Sequence, residues 1–279
     1  MLETHNQLSG DDLRAVADLE RAVVAVDGGR LKIEWNGLRE RSGAGPHDLI
    51  WRDAGRVLGF VGLDVHGGPG VEVVGMVAPQ ARGRGIGTAL LAAALDVCRE
   101  RGFEEALLIV PRSSQAGRHL AQRRSAPLHH SEHALRLSTP PQHTGEDPRT
   151  ALREATIEDV PVLTALLEAA FGTAPTHLPE SLTTQRTLVV EHEQAAVGTI
   201  RLTRDGDAGG VYGFAVSPPL QGRGIGRDVL RRVCREFFAG GASRVGLEVA
   251  VENERALGLY TSVGFEPVST EDYYDLPLD

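Results

Sequence analysis

Apolar positions along this chain follow two periods. Alternating runs predict strands, and stripes at three-to-four-residue spacing predict helices. The second half is the cleaner. Residues 149–155 predict a strand, followed by an amphipathic helix through Val160, Leu163, Leu166, Leu167, Ala170 and Phe171. Thr156 and Asp159 carry the spacing of a capping box before it. A loop over 172–181, with two prolines, then leads to strands at 186–191 and 196–204. The β-rich run 211–216 feeds a glycine-rich turn, after which Ile225, Val229, Leu230, Val233, Cys234 and Phe237 return at helical spacing. A last clear strand, 243–251, puts Val245, Leu247, Val249 and Val251 on one face and Gly246, Glu248 and Ala250 on the other.

The first half reads in the same order. Ser9 and Asp12 cap a helix starting near Asp11, with Leu13, Val16, Leu19 and Val23 as its buried face. Residues 31–40 predict a second short helix carrying Trp35. Strands are expected at 48–52, 56–65 and 71–77, then a helix through Ile86, Leu90, Leu91, Ala94, Leu95 and Cys98, then a strand at 106–110. Beyond it, 113–124 reads as helical, with strands around Leu128 and over 133–137.

The parallel order reflects a repeat. Val77, Pro79, Gly83, Arg84, Gly85, Ile86 and Gly87 recur, 139 residues later and without a gap, as Val216, Pro218, Gly222, Arg223, Gly224, Ile225 and Gly226. So long a period indicates duplicated domains, because solenoid units are much shorter. The polar, proline-rich stretch 138–148 reads as the linker, so the expected domains are 1–138 and 149–279.

A strand, a glycine-rich turn and a helix start converge several unpartnered backbone N–H groups on one spot, a site for a phosphate or pyrophosphate. The glycines let the backbone approach the anion, and Arg223 adds a positive charge. A Walker loop would need Lys-Ser or Lys-Thr after the last glycine, where Arg227 and Asp228 stand. A dinucleotide fingerprint needs a different glycine order.

Composition narrows the class. The chain is 41% hydrophobic and 24% charged, ordinary for a globular protein. A net charge of −9, with no basic stripe, argues against a nucleic-acid binder and suits an amine-bearing partner. Cys98 and Cys234, two thiols without a disulfide framework, suit a reducing compartment. No apolar run reaches membrane-spanning length and the first residues lack a signal-peptide pattern, so a cytoplasmic protein is expected. The histidines at 129, 130 and 133 have no Cys or acidic group completing a ligand set, so they read as exposed strand and loop residues and no metal is expected.

The Gln-x-x-Gly-x-Gly order from Gln221, preceded by Val-x-Pro, resembles the acyl-CoA pyrophosphate loop of the GNAT (GCN5-related N-acetyltransferase) superfamily. The later run from Leu247 to Phe265 resembles its second signature: Asn253 at a strand end, Ala256 three later, Leu259-Tyr260 at a helix end, then Gly264-Phe265. Within the superfamily, residues 211–275 are most similar to bacterial ribosomal-protein N-terminal alanine acetyltransferases, sharing Leu247-Glu248-Val249 and a later Tyr273-Tyr274. The tandem plan is similar to that of mycothiol synthases, although the strand before the second loop carries no acid, as theirs does.

The resemblance implies an α+β protein of two tandem domains, each a mixed, mostly antiparallel sheet flanked by helices. It implies acetyl-CoA as cosubstrate and transfer of its acetyl group to a primary amine of a small molecule or peptide. Glu248 takes the position of the general base and Tyr260 that of the group that protonates the sulfur. Asn253 would lie by the pantetheine arm, with backbone groups of Ala215 and Val216 binding pantetheine and acetyl carbonyl. Gln221, Gly222, Arg223, Gly224, Ile225 and Gly226 would cradle the pyrophosphate, as would Val77, Arg82, Gly83, Arg84, Gly85 and Gly87 in the first copy. Read from the residues alone, Glu248 is equally a solvated strand carboxylate, and Tyr212, Tyr273 and Tyr274 either line the acceptor cleft or serve as structural aromatics.

The copies differ where chemistry is expected. Glu248 corresponds to Ile109, Tyr260 to Ala121, and Gly264-Phe265 to Ser125-Ala126. The first copy thus keeps the cradle but lacks the acid and base, and is expected to be a non-catalytic partner that still binds CoA. Glu72 is the one carboxylate on its loop strand; it reads as a base from another position or as a partly exposed strand residue. A CoA-binding regulatory protein without turnover is the reading from another class; it leaves the acid and base of the second copy unexplained.

Overall fold

A computed structural model describes residues 1–41, 45, 47–65, 69–143, 145–172 and 178–278. The chain opens with β1 (Leu2–His5) and α1 (Gly10–Asp27), whose start is closed by the expected reciprocal Ser9/Asp12 box. The second helix is shorter than its apolar pattern implied: α2 covers only Trp35–Glu40, and 31–34 are irregular. Strands β2 (Asp48–Asp53), β3 (Arg56–Asp64) and β4 (Gly70–Val77) follow, then α3 (Ile86–Glu100), β5 (Glu105–Pro111) and α4 (Gln115–Arg123). A single strand, β6 (Leu128–Leu137), replaces the two short ones expected there.

Next come β7 (Thr150–Glu154) and α5 (Val160–Phe171), preceded by the predicted Thr156/Asp159 box. The loop expected over 172–181 is partly helical: α6 covers Leu178–Thr184, while 173–177 lie outside the described residues. Leu178 is buried beside α5, so one apolar anchor outweighs a Ser/Thr-rich sequence of poor helix propensity. The chain continues through β8 (Arg186–His192), β9 (Ala195–Asp205), β10 (Ala208–Val216), α7 (Ile225–Ala239), β11 (Arg244–Ala250), α8 (Glu254–Thr261) and β12 (Glu266–Leu276).

These elements form two compact units. The first is Met1–His133 together with Val268–Asp279; the second is Ala134–Pro267. The strand order of the first unit is β1-β2-β3-β4-β5-β12-β6, and that of the second is β6-β11-β10-β9-β8-β7. Each sheet is mostly antiparallel, and β4 with β5 and β10 with β11 run parallel. The final strand therefore pairs in the first unit, Tyr273 opposite Ile109 and Leu276 opposite Ala106.

In the second unit, Val229, Leu230, Val233 and Phe237 of α7 pack on Val245, Leu247 and Val249 of β11. Burying each such side chain contributes about 2 kcal/mol before entropy is counted. Leu163 and Leu167 of α5 cover the opposite face with Val189 and Ala215. Among the described residues, no helix is long and apolar enough to cross a membrane.

Candidate active site

The parallel pair in each unit does not run the length of its strands. In the second unit β10 and β11 pair only from Ala208–Arg244 to Gly210–Gly246. The register of β10 against β9 shifts between Tyr212 and Ala215, and Gly213 at this bulge has φ 52°. Such a left-handed residue turns the strand away from its neighbour. The bulge brings the Ala215 carbonyl so close to Gly198 that a Cβ there would sit 2.4 Å from the oxygen. Beyond it, β10 and β11 part, leaving the Ala215 and Val216 backbone on one side of a gap and Leu247 to Ala250 on the other.

Behind the gap lies the glycine loop. Gly222 and Gly224 have φ of 80° and 89°, and space over Gly224 is open. The first intrahelical bond of α7 runs from Asp228 N–H to Gly224 O, so the preceding amides point out of the helix start. The Gln221 side chain does not face outward. Its amide donates to Val216 O at 2.8 Å and closes the loop on the strand. Arg223 is exposed.

A cation that sequence reading passed over also reaches this loop. A guanidinium nitrogen of Arg255, in the first turn of α8, lies 3.5 Å from where a Gly222 Cβ would be. Arg223 and Arg255 both lack a partner among the described residues. Asn253 caps the same helix, its oxygen accepting from Ala256 N–H at 3.1 Å, which leaves the amide NH2 at the exposed rim.

Glu248 lies on the strand that borders the gap, and Tyr260 on the helix that follows that strand. Strand alternation puts Glu248 on the half-buried face, with Gly246 and Ala250, away from Leu247 and Val249. Tyr260 belongs to the core on the α7 face, packed edge-on against Phe265 with ring centroids 6.1 Å apart. It is only 8% exposed, its hydroxyl has no hydrogen-bond partner among the described residues, and burial pushes its phenol up to about 12. Burial likewise pushes the thiols of Cys98 and Cys234 up to about 11 and about 12, so neither is a ready nucleophile.

The first unit repeats the loop in another setting. Gly83 and Gly85 have φ of 75° and 82°, again under open space. Arg82 takes the place of Gln221 and donates to Val77 O, but it is also paired with Asp27 at 2.7 Å, which accepts from Ser114 as well. The pairing of β4 with β5 continues to Val74–Ile109, the counterparts of Gly213 and Glu248, and no bulge interrupts β3 and β4. A cavity of about 310 Å³ runs from this loop between the strands, lined by Gly75, Val77, Gly85, Ile109, Ala116 and Gly117 among others. Ala116 is the counterpart of Arg255.

Other predicted residues fall elsewhere. Tyr212 is exposed on β10. Tyr273 and Tyr274 belong to the first unit: Tyr273 is buried under His130, whose ring stacks on it at 4.1 Å, and Tyr274 packs against the core there. All three histidines from 129 to 133 lie on β6, and His130 and His133 are half-buried rather than exposed. Among the described residues no cluster of His, Cys, Asp or Glu is arranged to hold a metal.

The acetyltransferase (GNAT) family model matches residues 17–125 and again 153–265, one match per copy. A stretch of 73 residues is 41% identical to the mycothiol acetyltransferase of Beutenbergia cavernae, covering 26% of this chain and 25% of that protein. Among solved structures, a GCN5-related N-acetyltransferase from Sphaerobacter thermophilus superposes with a TM-score of 0.82 at 18% identity, over 100% of this chain and 95% of the other. A tandem GNAT protein from the clavulanic acid biosynthesis pathway gives 0.70 at 20% identity, over 100% and 99%. At these identities the structures speak for the fold. With two family matches spanning most of its length, the chain belongs to the acetyltransferase (GNAT) family as a tandem pair of its α+β domains.

Proposed function

We propose that this protein is an acetyl-CoA-dependent N-acetyltransferase that acetylates a primary amine of a small molecule or peptide, with the reaction in the second copy. One observation carries the reading. Glu248 stands on the stretch of β11 that borders the β10/β11 gap, Tyr260 follows on α8 in the core of the α7 face, and the open glycine loop starts α7. The loop fits a pyrophosphate: left-handed glycines leave room over the backbone, helix-start amides converge there, and Arg223 and Arg255 supply charge.

The chemistry follows from Glu248 and Tyr260. Glu248 accepts the proton of the incoming ammonium, directly or through a water, and the neutral amine attacks the thioester carbonyl. Backbone groups of Ala215 and Val216 on the gap side hold the pantetheine and the acetyl carbonyl, the Val216 carbonyl aside because Gln221 already donates to it. Tyr260 remains protonated at neutral pH. A thiol ordinarily near 8.5 is a weaker base than this phenolate, and full proton transfer would cost about 5 kcal/mol. Tyr260 therefore acts as hydrogen-bond donor to the sulfur while it leaves; of the two protons the ammonium loses on becoming an amide, one ends on the thiolate and the other passes to solvent. The first copy, with Ile109 and Ala121 in the two positions, holds acetyl-CoA without turning over a free acceptor amine.

A second reading narrows the acceptor to a cysteinyl amine, as in mycothiol assembly. The 41% identical stretch favours it, and the absence of an acid on β10 weighs against it. CoA-thiol release against polyamines, aminoglycosides, amino acids, N-terminal peptides and the deacetylated mycothiol precursor tests both. Turnover of one class names the acceptor. Silence across the panel with CoA bound overturns the enzyme reading in favour of a CoA-binding regulator.

A further inference from the structure

Away from the second copy's gap, the first unit contains a polar cluster that the proposed reaction does not use. At its centre is Lys32, the only lysine among 29 basic side chains. Its side chain is 10% exposed, and its ammonium lies 3.2 Å from a Glu72 oxygen. It donates to the Tyr273 hydroxyl at 2.8 Å and sits 5.1 Å from the centre of that ring. Tyr273 in turn donates to Glu132 at 2.7 Å, beneath His130.

The cluster borders the cavity of the same unit. Arg30 and Leu31, just before Lys32, line that cavity, as do Val73, next to Glu72, and Ile109, opposite Tyr273. Val74–Ile109 is the last pair before β4 and β5 part. The counterpart of Ile109 is Glu248, so this is the side from which an amine approaches in the second copy. Elsewhere among the described residues carboxylates pair with arginine, which is not deprotonated in proteins, or with histidine. Here the chain places the one side chain that becomes a nucleophilic amine on losing a proton, next to a carboxylate able to take that proton.

We propose that Lys32 is a self-acetylation site, modified from acetyl-CoA held in the first unit. The proposal rests on the reading that this copy binds acetyl-CoA. Lys32 passes a proton to Glu72, and its neutral nitrogen forms a C–N bond with the acetyl carbonyl as the C–S bond breaks. The attacking nitrogen sheds a second proton as the amide forms; one of the two protons ends on the departing thiolate and the other passes to solvent, so the products are Nε-acetyl-Lys32, CoA thiol and a released proton. The modification removes the positive charge between Glu72, Glu132 and Tyr273.

The test incubates the full-length chain with acetyl-CoA and no amine, maps acetylation by peptide mass spectrometry, and measures CoA stoichiometry by calorimetry. Lys32 should be acetylated at least about tenfold faster than the exposed Met1 amine, because a held amine gains from proximity. Acid-unfolded chain should lose this preference. Glu72→Gln should slow the modification about 100-fold. Lys32→Arg should abolish it, leaving amine turnover by the second copy unchanged. Two CoA bound per chain with Lys32 modified no faster than Met1 overturns the proposal alone. One CoA per chain, lost in Gly224→Ala, overturns the reading beneath it as well.

Discussion

In the first copy the parallel strands stay paired as far as Val74 and Ile109, while in the second they separate at Gly210 and Gly246. The glycine loops behind them share Gly-Arg-Gly-Ile-Gly, 83–87 and 222–226. What separates the copies is thus the wall of the gap. A bulge at Gly213 opens the second copy so that Glu248 stands beside the gap, whereas Ile109 is held in the ladder of the first. The first copy keeps a roomy cavity with Ala116 at its loop; the second brings Arg255 over the same place. The proposed anion binding needs only the loop, and both copies keep that loop. In the proposed function, turnover of a free amine needs Glu248 and Tyr260, whose counterparts in the first copy are Ile109 and Ala121.

The comparison is broken most sharply at Glu248. Glu248→Gln should lower kcat by about 1,000-fold with little change in acetyl-CoA binding, because the proton acceptor is lost and the loop is untouched. Steady-state thiol release with the best amine reads this, and an unchanged kcat would return Glu248 to being a solvated strand carboxylate.

At the loops the contrast is one of charge. Arg255→Ala should raise the acetyl-CoA KM about tenfold at constant kcat, the size of one charge-assisted hydrogen bond. Ala116→Arg should not affect kcat and should alter only the CoA affinity assigned to the first copy, read by calorimetry. The smallest effect is at Asn253. Its replacement by Ala removes a helix cap worth about 1 kcal/mol, visible as a small fall in the unfolding midpoint.

Much of this was legible in the sequence for local reasons. Both capping boxes, both glycine loops and the α7 stripe are short-range patterns, and the structure contains each. Long-range pairing was not legible. Nothing in Val268 to Leu276 says that this strand joins the first unit, because similarity between copies records ancestry and not the sheet a strand enters. Strand β1 is too short to show a period, and Arg255 looks like any exposed helical arginine until Gly222 is placed next to it. The inward turn of Gln221 and the Asp27 pairing of Arg82 were likewise hidden, since a motif records residue types and not the direction of side chains.

The central claim is that turnover of a free acceptor amine belongs to the second copy and uses Glu248 and Tyr260. Tyr260→Phe in the full-length chain tests it most directly, with kcat and acetyl-CoA affinity measured on the same preparation. The account predicts a kcat about 100-fold lower with affinity kept, since only the donor to the leaving sulfur is removed. A kcat equal to that of the unaltered chain would contradict it and move the chemistry out of the second copy's gap.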